Sequence, residues 1–172
     1  MTNYEKNFCQ YCGHKLTLKY HERKKRLFCE NCELFCWENP IPGTVSIVLS
    51  KDHSKILLIK RKVDPQKGMW ALPGGFLDKG EDPKEGAIRE LKEETGITGL
   101  HPELLDTCCQ SSNMLGSVLV IAYIFKDYEG EIKAGDDAMQ AEFFDINKLP
   151  PIAFDSHHNF LDKILKKIKN IS

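Results

Sequence analysis

A chain of 172 residues with 41% hydrophobic and 28% charged side chains has the make-up of one soluble globular domain, alone or with a small appendage. Its formal net charge of -1 argues against wholesale electrostatic capture of nucleic acid or membrane, while leaving local patches open. No apolar run approaches the roughly 20 residues that cross a bilayer, and Met1 to Asn7 lack the apolar core of a secretory signal, so no membrane partner and a cytoplasmic location are expected.

The first zone, residues 1–37, holds two Cys-x-x-Cys pairs, Cys9/Cys12 and Cys29/Cys32, with sixteen residues between them. In a reducing compartment that spacing reads as a four-cysteine metal site rather than disulfides. The intervening segment predicts two short strands, about Leu16 to Tyr20 and Arg26 to Phe28, joined by a polar tip. Phe8, Tyr11, Leu27, Phe28 and Phe35 are too few for a core, so a structural Zn²⁺ on four thiolates would supply cohesion and leave no open position for catalysis. Iron is the metallic alternative. The module resembles a zinc ribbon. Its basic tip, Lys19 to Arg26, invites a nucleic-acid partner, but a charge run alone fits a solvated hairpin better. Homodimerisation through the ribbon stays open. Cys36, Cys108 and Cys109 read as packing residues.

Residues 38–43 contain two prolines and a glycine and read as a linker. From residue 44 to 172 the pattern is that of one α/β domain. Thr44 to Leu49 and Lys55 to Lys60 predict strands, and the polar turn Lys51 to Ser54 suggests a hairpin. Trp70 to Phe76 runs into a Gly-Gly turn. Asp82-Pro83-Lys84-Glu85 opens a helix with an N-cap, a proline at the first position and a capping-box glutamate, and Gly96 closes it. Val118 to Phe125 predicts a buried central strand and Ala141 to Asp145 a shorter one. His157 to Ile168 places Phe160, Leu161, Ile164, Leu165 and Ile168 on one stripe of a closing helix. His157 and His158 are adjacent and diverge, which is no metal-ligand pattern.

In the middle helix Ala87, Ile88 and Leu91 form an apolar stripe, whereas Glu90, Glu93 and Glu94 stand at i, i+3 and i+4 on another face. Like charges so close destabilise an isolated helix, and a solvated acidic face is the bland reading. The preceding turn Pro73-Gly74-Gly75 and the nearby Arg89 weigh against it. Oxygen ligands in such a cluster suit Mg²⁺ or Mn²⁺.

Gly75, Glu81, Arg89-Glu90-Leu91, Glu93-Glu94 and Gly96-Ile97 together read Gly-x5-Glu-x7-Arg-Glu-U-x-Glu-Glu-x-Gly-U, where U is a bulky aliphatic residue. This 23-residue pattern resembles the complete Nudix box, with every fixed position present. The resemblance implies an α/β/α sandwich with a mixed sheet and cleavage of a nucleoside diphosphate linked to another moiety. It implies that Glu90, Glu93 and Glu94 bind the catalytic Mg²⁺ or Mn²⁺, with Glu93 also counted as catalytic. Glu81 would support the site, Arg89 would hold the glutamates in register, and Gly74 and Gly75 would shape the loop around substrate. A further carboxylate is needed as base or ligand. Asp137 is the first candidate, with Asp136 and Glu142 behind it. Arg61 and Trp70 flank the loop as contacts for phosphate or base, although Trp70 suits a core equally.

A ribbon ahead of such a box resembles the NADH pyrophosphatase group and a group acting on ADP-ribose or FAD. The Ser-Gln-Pro-Trp-Pro-Phe-Pro stretch of the NADH group is absent from the corresponding Cys108 to Met114. The downstream proline of many ADP-ribose enzymes and the tyrosine of dinucleoside polyphosphate hydrolases are absent too. A small-molecule nucleotide, as ADP-ribose, NADH or FAD, is the expected substrate. The alternatives are an RNA-associated Nudix enzyme using the basic ribbon, and a non-catalytic nucleotide-sensing module.

Overall fold

A computed structural model of the chain describes residues 6–112 and 115–169. The described residues fall into two compact units, one of residues up to 41 with those of 111–117, the other of 42–110 with those from 118 onward. Asn113 and Met114, which end the Cys108 to Met114 stretch, lie outside the described residues.

The first unit contains a three-stranded antiparallel sheet, β1 (Thr17–His21), β2 (Lys24–Cys29) and β3 (Leu34–Cys36), in that order. The first two strands match the sequence expectation and the third was not foreseen, because three residues carry too little alternation to read. The tip between β1 and β2 is Glu22-Arg23, both at positive φ, which is how the chain reverses in two residues.

In the second unit the strands are β4 (Ile41–Val48), β5 (Lys55–Arg61), β6 (Trp70–Ala71), β7 (Thr98–Leu100), β8 (Glu103–Ser112), β9 (Gly116–Phe125), β10 (Asp127–Glu129) and β11 (Ala138–Asp145). They form three sheets, ordered β4-β9-β8, β11-β5-β6 and β10-β7. Helix α1 (Pro83–Thr95) and helix α2 (Asp155–Lys169) cover opposite faces. The alternation is direct: Ile56, Leu58, Ala122 and Ile124 pack with Phe160, Leu161 and Ile164 of α2. Leu57, Tyr123 and Phe125 pack with Ala87 and Leu91 of α1. Strands covered on both faces read as unbroken apolar runs, which is why Val118 to Phe125 announced a central strand. The result is the α/β/α sandwich with a mixed sheet. Among the described residues no helix is long and apolar enough to cross a membrane.

Two expectations change. The segment read as a linker becomes strand at Ile41, and Pro42, which has no N–H to offer, accepts from Leu77 N at 3.1 Å through its carbonyl. The expected hairpin of β4 and β5 is paired only at its tip, by the Leu49–Ile56 bridge and Ser50 N donating to Lys55 O at 3.0 Å. The Asp52 carboxylate organises that turn, accepting from the hydroxyls of Ser50 and Ser54. Beyond it β4 joins β9 and β5 joins β11, so the two strands part into different sheets.

Candidate active site

The loop that ends β6 is held to its surroundings almost residue by residue. Ala153 N donates to Trp70 O at 2.8 Å and Leu72 N to His157 Nδ1 at 3.1 Å. Ser46 N and Thr44 N, from β4, donate to Pro73 O and Gly75 O, each at 2.8 Å. Gly74 N donates to Glu94 Oε2 at 2.8 Å, which ties the loop to the last turn of α1. One position here requires glycine: Gly74 has φ 150°, and a Cβ there would lie 2.1 Å from Thr44 O. A Cβ on Gly75 would lie 2.6 Å from the Glu90 carboxylate and would push that side chain aside.

Helix α1 starts and stops as its sequence predicts. Asp82 Oδ1 accepts from Lys84 N at 2.8 Å, Pro83 takes the first position, and Gly96 at φ 77° donates its N–H to Lys92 O. Ala87 and Leu91, both fully buried, fix which face turns inward, and Ser46 Oγ donating to Ala87 O at 3.2 Å sets the helix against β4. The remaining face carries the glutamates.

Arg89 is the hub of that face. Its guanidinium donates to Glu81 Oε1 at 2.7 Å and Oε2 at 2.9 Å, to Glu90 Oε1 at 2.8 Å, to Glu93 Oε2 at 3.0 Å and to Phe76 O at 3.1 Å. The bidentate bond to Arg89 and the N–H of Asp78 hold the Glu81 carboxyl down to about 2. Burial instead pushes Glu90 up, and Glu94, only 3% exposed, is pushed up to about 8, against the opposing hydrogen bond from Gly74. Negative charge adds to both shifts: Glu93 and Asp136 act on Glu90, and Glu90 and Asp137 act on Glu94. Crowded carboxylates that burial drives toward the neutral form are stabilised as anions by a cation, so the donor set fits Mg²⁺ or Mn²⁺.

The glutamates are not gathered as tightly as the helical spacing suggests. Among the described residues, no three carboxylates bring one oxygen each within 4.8 Å of one another. Glu90 and Glu93 share one Arg89 nitrogen, while Glu94 is turned into the loop on Gly74. Like charges so placed repel, and the single positive charge of Arg89, hydrogen-bonded to Glu90 and Glu93, offsets part of that repulsion.

The loop before β11 carries the other acids. Lys62 N donates to Asp137 O at 2.7 Å and Lys62 Nζ to Asp136 O at 3.2 Å, while Gly135 N donates to Glu94 O at 3.0 Å. Asp136 and Asp137 therefore come within electrostatic range of the α1 glutamates, whereas Glu142 stands exposed in β11 opposite Leu58. Arg61 donates to Pro65 O at 2.8 Å, lies over the Phe154 ring, and its charge opposes the rise at Glu94. Trp70 is half-buried with its ring edge-on to Phe144 at 4.6 Å, as a packing residue would be.

His157 was missed as a contributor. Burial and the charges of Arg61 and His158 push it down to about 3, so it is neutral and its Nδ1 is a fixed acceptor for Leu72 N. The signal was in the sequence: His157 lies at i relative to Phe160, Leu161 and Ile164, on the buried stripe of α2.

In the first unit the sulfurs of Cys9, Cys12, Cys29 and Cys32 all lie within 4.8 Å of one another. Four thiolates at about 2.3 Å from a zinc ion stand roughly 3.8 Å apart, so the donor set fits. Backbone amides already favour the thiolate at Cys9, above all that of Tyr11, and hold it down to about 6. Cys32 N donates to Cys29 Sγ at 3.4 Å. Both contacts are what a Cys-x-x-Cys turn offers a metal-bound sulfur. The cluster is compatible with a zinc ribbon.

The NUDIX domain family matches residues 40–167. An ADP-ribose pyrophosphatase of Methanocaldococcus jannaschii is 48% identical over 120 residues, covering 69% of this chain and 68% of that protein. An NAD-capped RNA hydrolase NudC of Pseudomonas entomophila is 26% identical, covering 86% of this chain but only 51% of its own length. A crystal structure of a NUDIX hydrolase from Nitrosomonas europaea superposes with TM-score 0.72 at 24% identity, covering 94% of this chain and 91% of that one. With a complete box on a fixed loop and helix, and the family match spanning most of its length, the chain belongs to the Nudix family and is a pyrophosphohydrolase of phosphorus-containing anhydrides.

Proposed function

We propose that the enzyme hydrolyses the diphosphate of a nucleoside diphosphate linked to another moiety, with ADP-ribose as the first substrate and NADH and FAD as members of the same class. One observation carries the choice: the relative at 48% identity is an ADP-ribose pyrophosphatase. In this reading Glu90, Glu93 and Glu94 hold Mg²⁺ or Mn²⁺, and the four cysteines hold Zn²⁺. The ribbon occupies residues 1–37 and the hydrolase domain 44–172. When bound, the catalytic cation neutralises the diphosphate and acidifies water.

The chain's own residues do the rest. Arg89 and Glu81 keep Glu90 and Glu93 in register, as their mutual hydrogen bonds support. The Gly74–Glu94 bond presents a carboxylate at a fixed point beside a loop whose backbone a phosphate can approach. Asp137 accepts the proton of the attacking water, with Asp136 and Glu142 as successive alternatives; the charges of Asp137 on Glu94 and of Asp136 on Glu90 support the two aspartates over Glu142. Arg61 offers a cation to the phosphates, while the packing of Trp70 on Phe144 favours a wall of the site over a free stacking ring. Water adds to one phosphorus and the anhydride P–O bond breaks, so ADP-ribose gives AMP and ribose 5-phosphate.

A screen of ADP-ribose, NADH, FAD and nucleoside triphosphates with Mg²⁺ and Mn²⁺, products identified by mass spectrometry, tests this. Divalent-dependent release of AMP from ADP-ribose is expected. Turnover confined to nucleoside triphosphates, or none with any substrate, would refute the assignment.

A further inference from the structure

The basic tip of the cysteine module carried little as a charge run; the fold adds aromatic rings on the same face. The register of β1, β2 and β3 sets Thr17 opposite Phe28, Phe28 opposite Phe35, Lys19 opposite Arg26 and His21 opposite Lys24. Directly opposed and alternate residues share a face, so one side of the sheet interleaves rings with cations. Lys19 Nζ lies 4.1 Å from the centre of the Phe28 ring, and Arg26 lies 4.5 Å from that of Trp37. His21 stacks on Phe35 at 4.3 Å.

That face runs into an open cleft of about 260 Å³ walled by Phe8, Tyr11, Phe35 and Trp37, with Lys6 beside them. Phe8 is 63% exposed, Tyr11 70% and Trp37 45%, although apolar rings in so small a module have every reason to bury. Lys15 stands across from Phe8. The charge is segregated. Residues 15–26 hold Lys15, Lys19, Arg23, Lys24, Lys25 and Arg26 against the single acid Glu22. Glu22 reaches Arg26 at 3.6 Å and His21 at 4.0 Å, and among the described residues no carboxylate lies within 4.0 Å of the other five.

We infer that this face of the module is a docking surface for single-stranded nucleic acid, with bases stacking on Tyr11, Trp37 and Phe8 and phosphates running past Lys19, Lys24 and Arg26. Exposed rings recognise the faces of bases, which a duplex hides, and interleaved cations track a backbone. The five paired positions of β1 and β2 extend about 13 Å, farther than one mononucleotide needs. Charge complementarity favours a polyanion over a second copy of this equally basic hairpin. The inference is independent of the substrate proposed above, because its readout is binding.

The other face provides the control. Tyr20, 71% exposed, is paired with Lys25 on the side away from Lys19 and Arg26. Fluorescence anisotropy of the full chain with a labelled twelve-nucleotide single strand is the measurement. Tyr11→Ser should raise Kd on the order of tenfold, and Tyr20→Ser should change it by no more than about twofold. Three phosphate contacts predict a log–log salt slope of about -2. The inference is overturned by binding weaker than about 100 µM, by equal effects of the two variants, or by a duplex or AMP competing as well as the single strand. Self-association of the chain that Tyr11→Ser abolishes would assign the face to a second copy instead. Hydrolysis of small substrates should be unaltered in both variants.

Discussion

The two proposed cation sites of this molecule rest on opposite principles. The glutamates of α1 sit on an element already fixed by packing: Ala87 and Leu91 are fully buried, both caps are formed, and Gly74 and Ser46 tie the helix to a loop and a strand. The cysteines sit in a module whose buried hydrophobic residues, among those described, are Cys9, Phe28 and Cys29. Two of those three are themselves sulfur donors. On the proposed reading, packing sets the geometry of the glutamates before any ion is added, whereas an ion would complete the core of the cysteine module.

The largest expected effect separates the two principles. Glu94→Gln keeps an acceptor for Gly74 N and removes the charge, so divalent-dependent turnover should fall on the order of 10³-fold, the several kcal/mol a catalytic cation supplies. Its melting temperature at pH 8 should stay equal or rise, because a desolvated carboxylate has been replaced by a neutral amide. Cys29→Ser should do the reverse. Zinc content by elemental analysis should fall and amide hydrogen exchange across β1 to β3 should accelerate, while β5, β9 and α1 stay protected. If Cys29→Ser leaves the exchange of β1 to β3 untouched, the contrast fails.

Arg89 comes next. It contacts three carboxylates and a carbonyl through a fork that lysine cannot reproduce. Arg89→Lys should weaken Mg²⁺ affinity or activity by about 10–100-fold, as loss of a residue orienting metal ligands does. Wild-type kinetics in Arg89→Lys would show that the glutamates hold themselves in place.

How far the sequence spoke follows the same division. The box, its caps and its apolar stripe were legible because each rests on local rules: an N-cap, a proline, a C-terminal glycine, a period of 3.6 residues. The cysteine spacing was legible for the same reason. What was not legible depends on pairing between distant segments. The part-opened β4–β5 hairpin is decided by β9 and β11, and the service of His157 to Leu72 spans 85 residues. The aromatic–cation face needed the register of three short strands to bring Phe28 beside Lys19, Phe35 beside His21 and Trp37 beside Arg26. The spread of the glutamates around Arg89 is a matter of charge balance that helical spacing alone does not contain.

The smallest effect is one of pH, and it tests the preset character of the acidic site. Glu94 keeps its proton to about pH 8 in the folded chain, against an ordinary value of 4.5. Between those values the native state holds a proton that the unfolded state has lost, so stability in the metal-free protein should fall as pH rises from about 4.5 to 8 and then level off. His157 works in the opposite sense. Its folded value near 3 lies below the ordinary 6.5, so its contribution is complete above 6.5 and is lost as pH falls toward 3. Denaturant melts of the metal-free protein at stepped pH should separate the two, with Glu94→Gln flattening the limb that runs up to pH 8. Because an ion at this site must displace the Glu94 proton, apparent Mg²⁺ affinity should rise by up to about tenfold per pH unit below 8 and little above it. Mg²⁺ affinity independent of pH from 6 to 8 would mean that Glu94 is already ionised in the folded chain, and that packing had not set the site against the charge it carries.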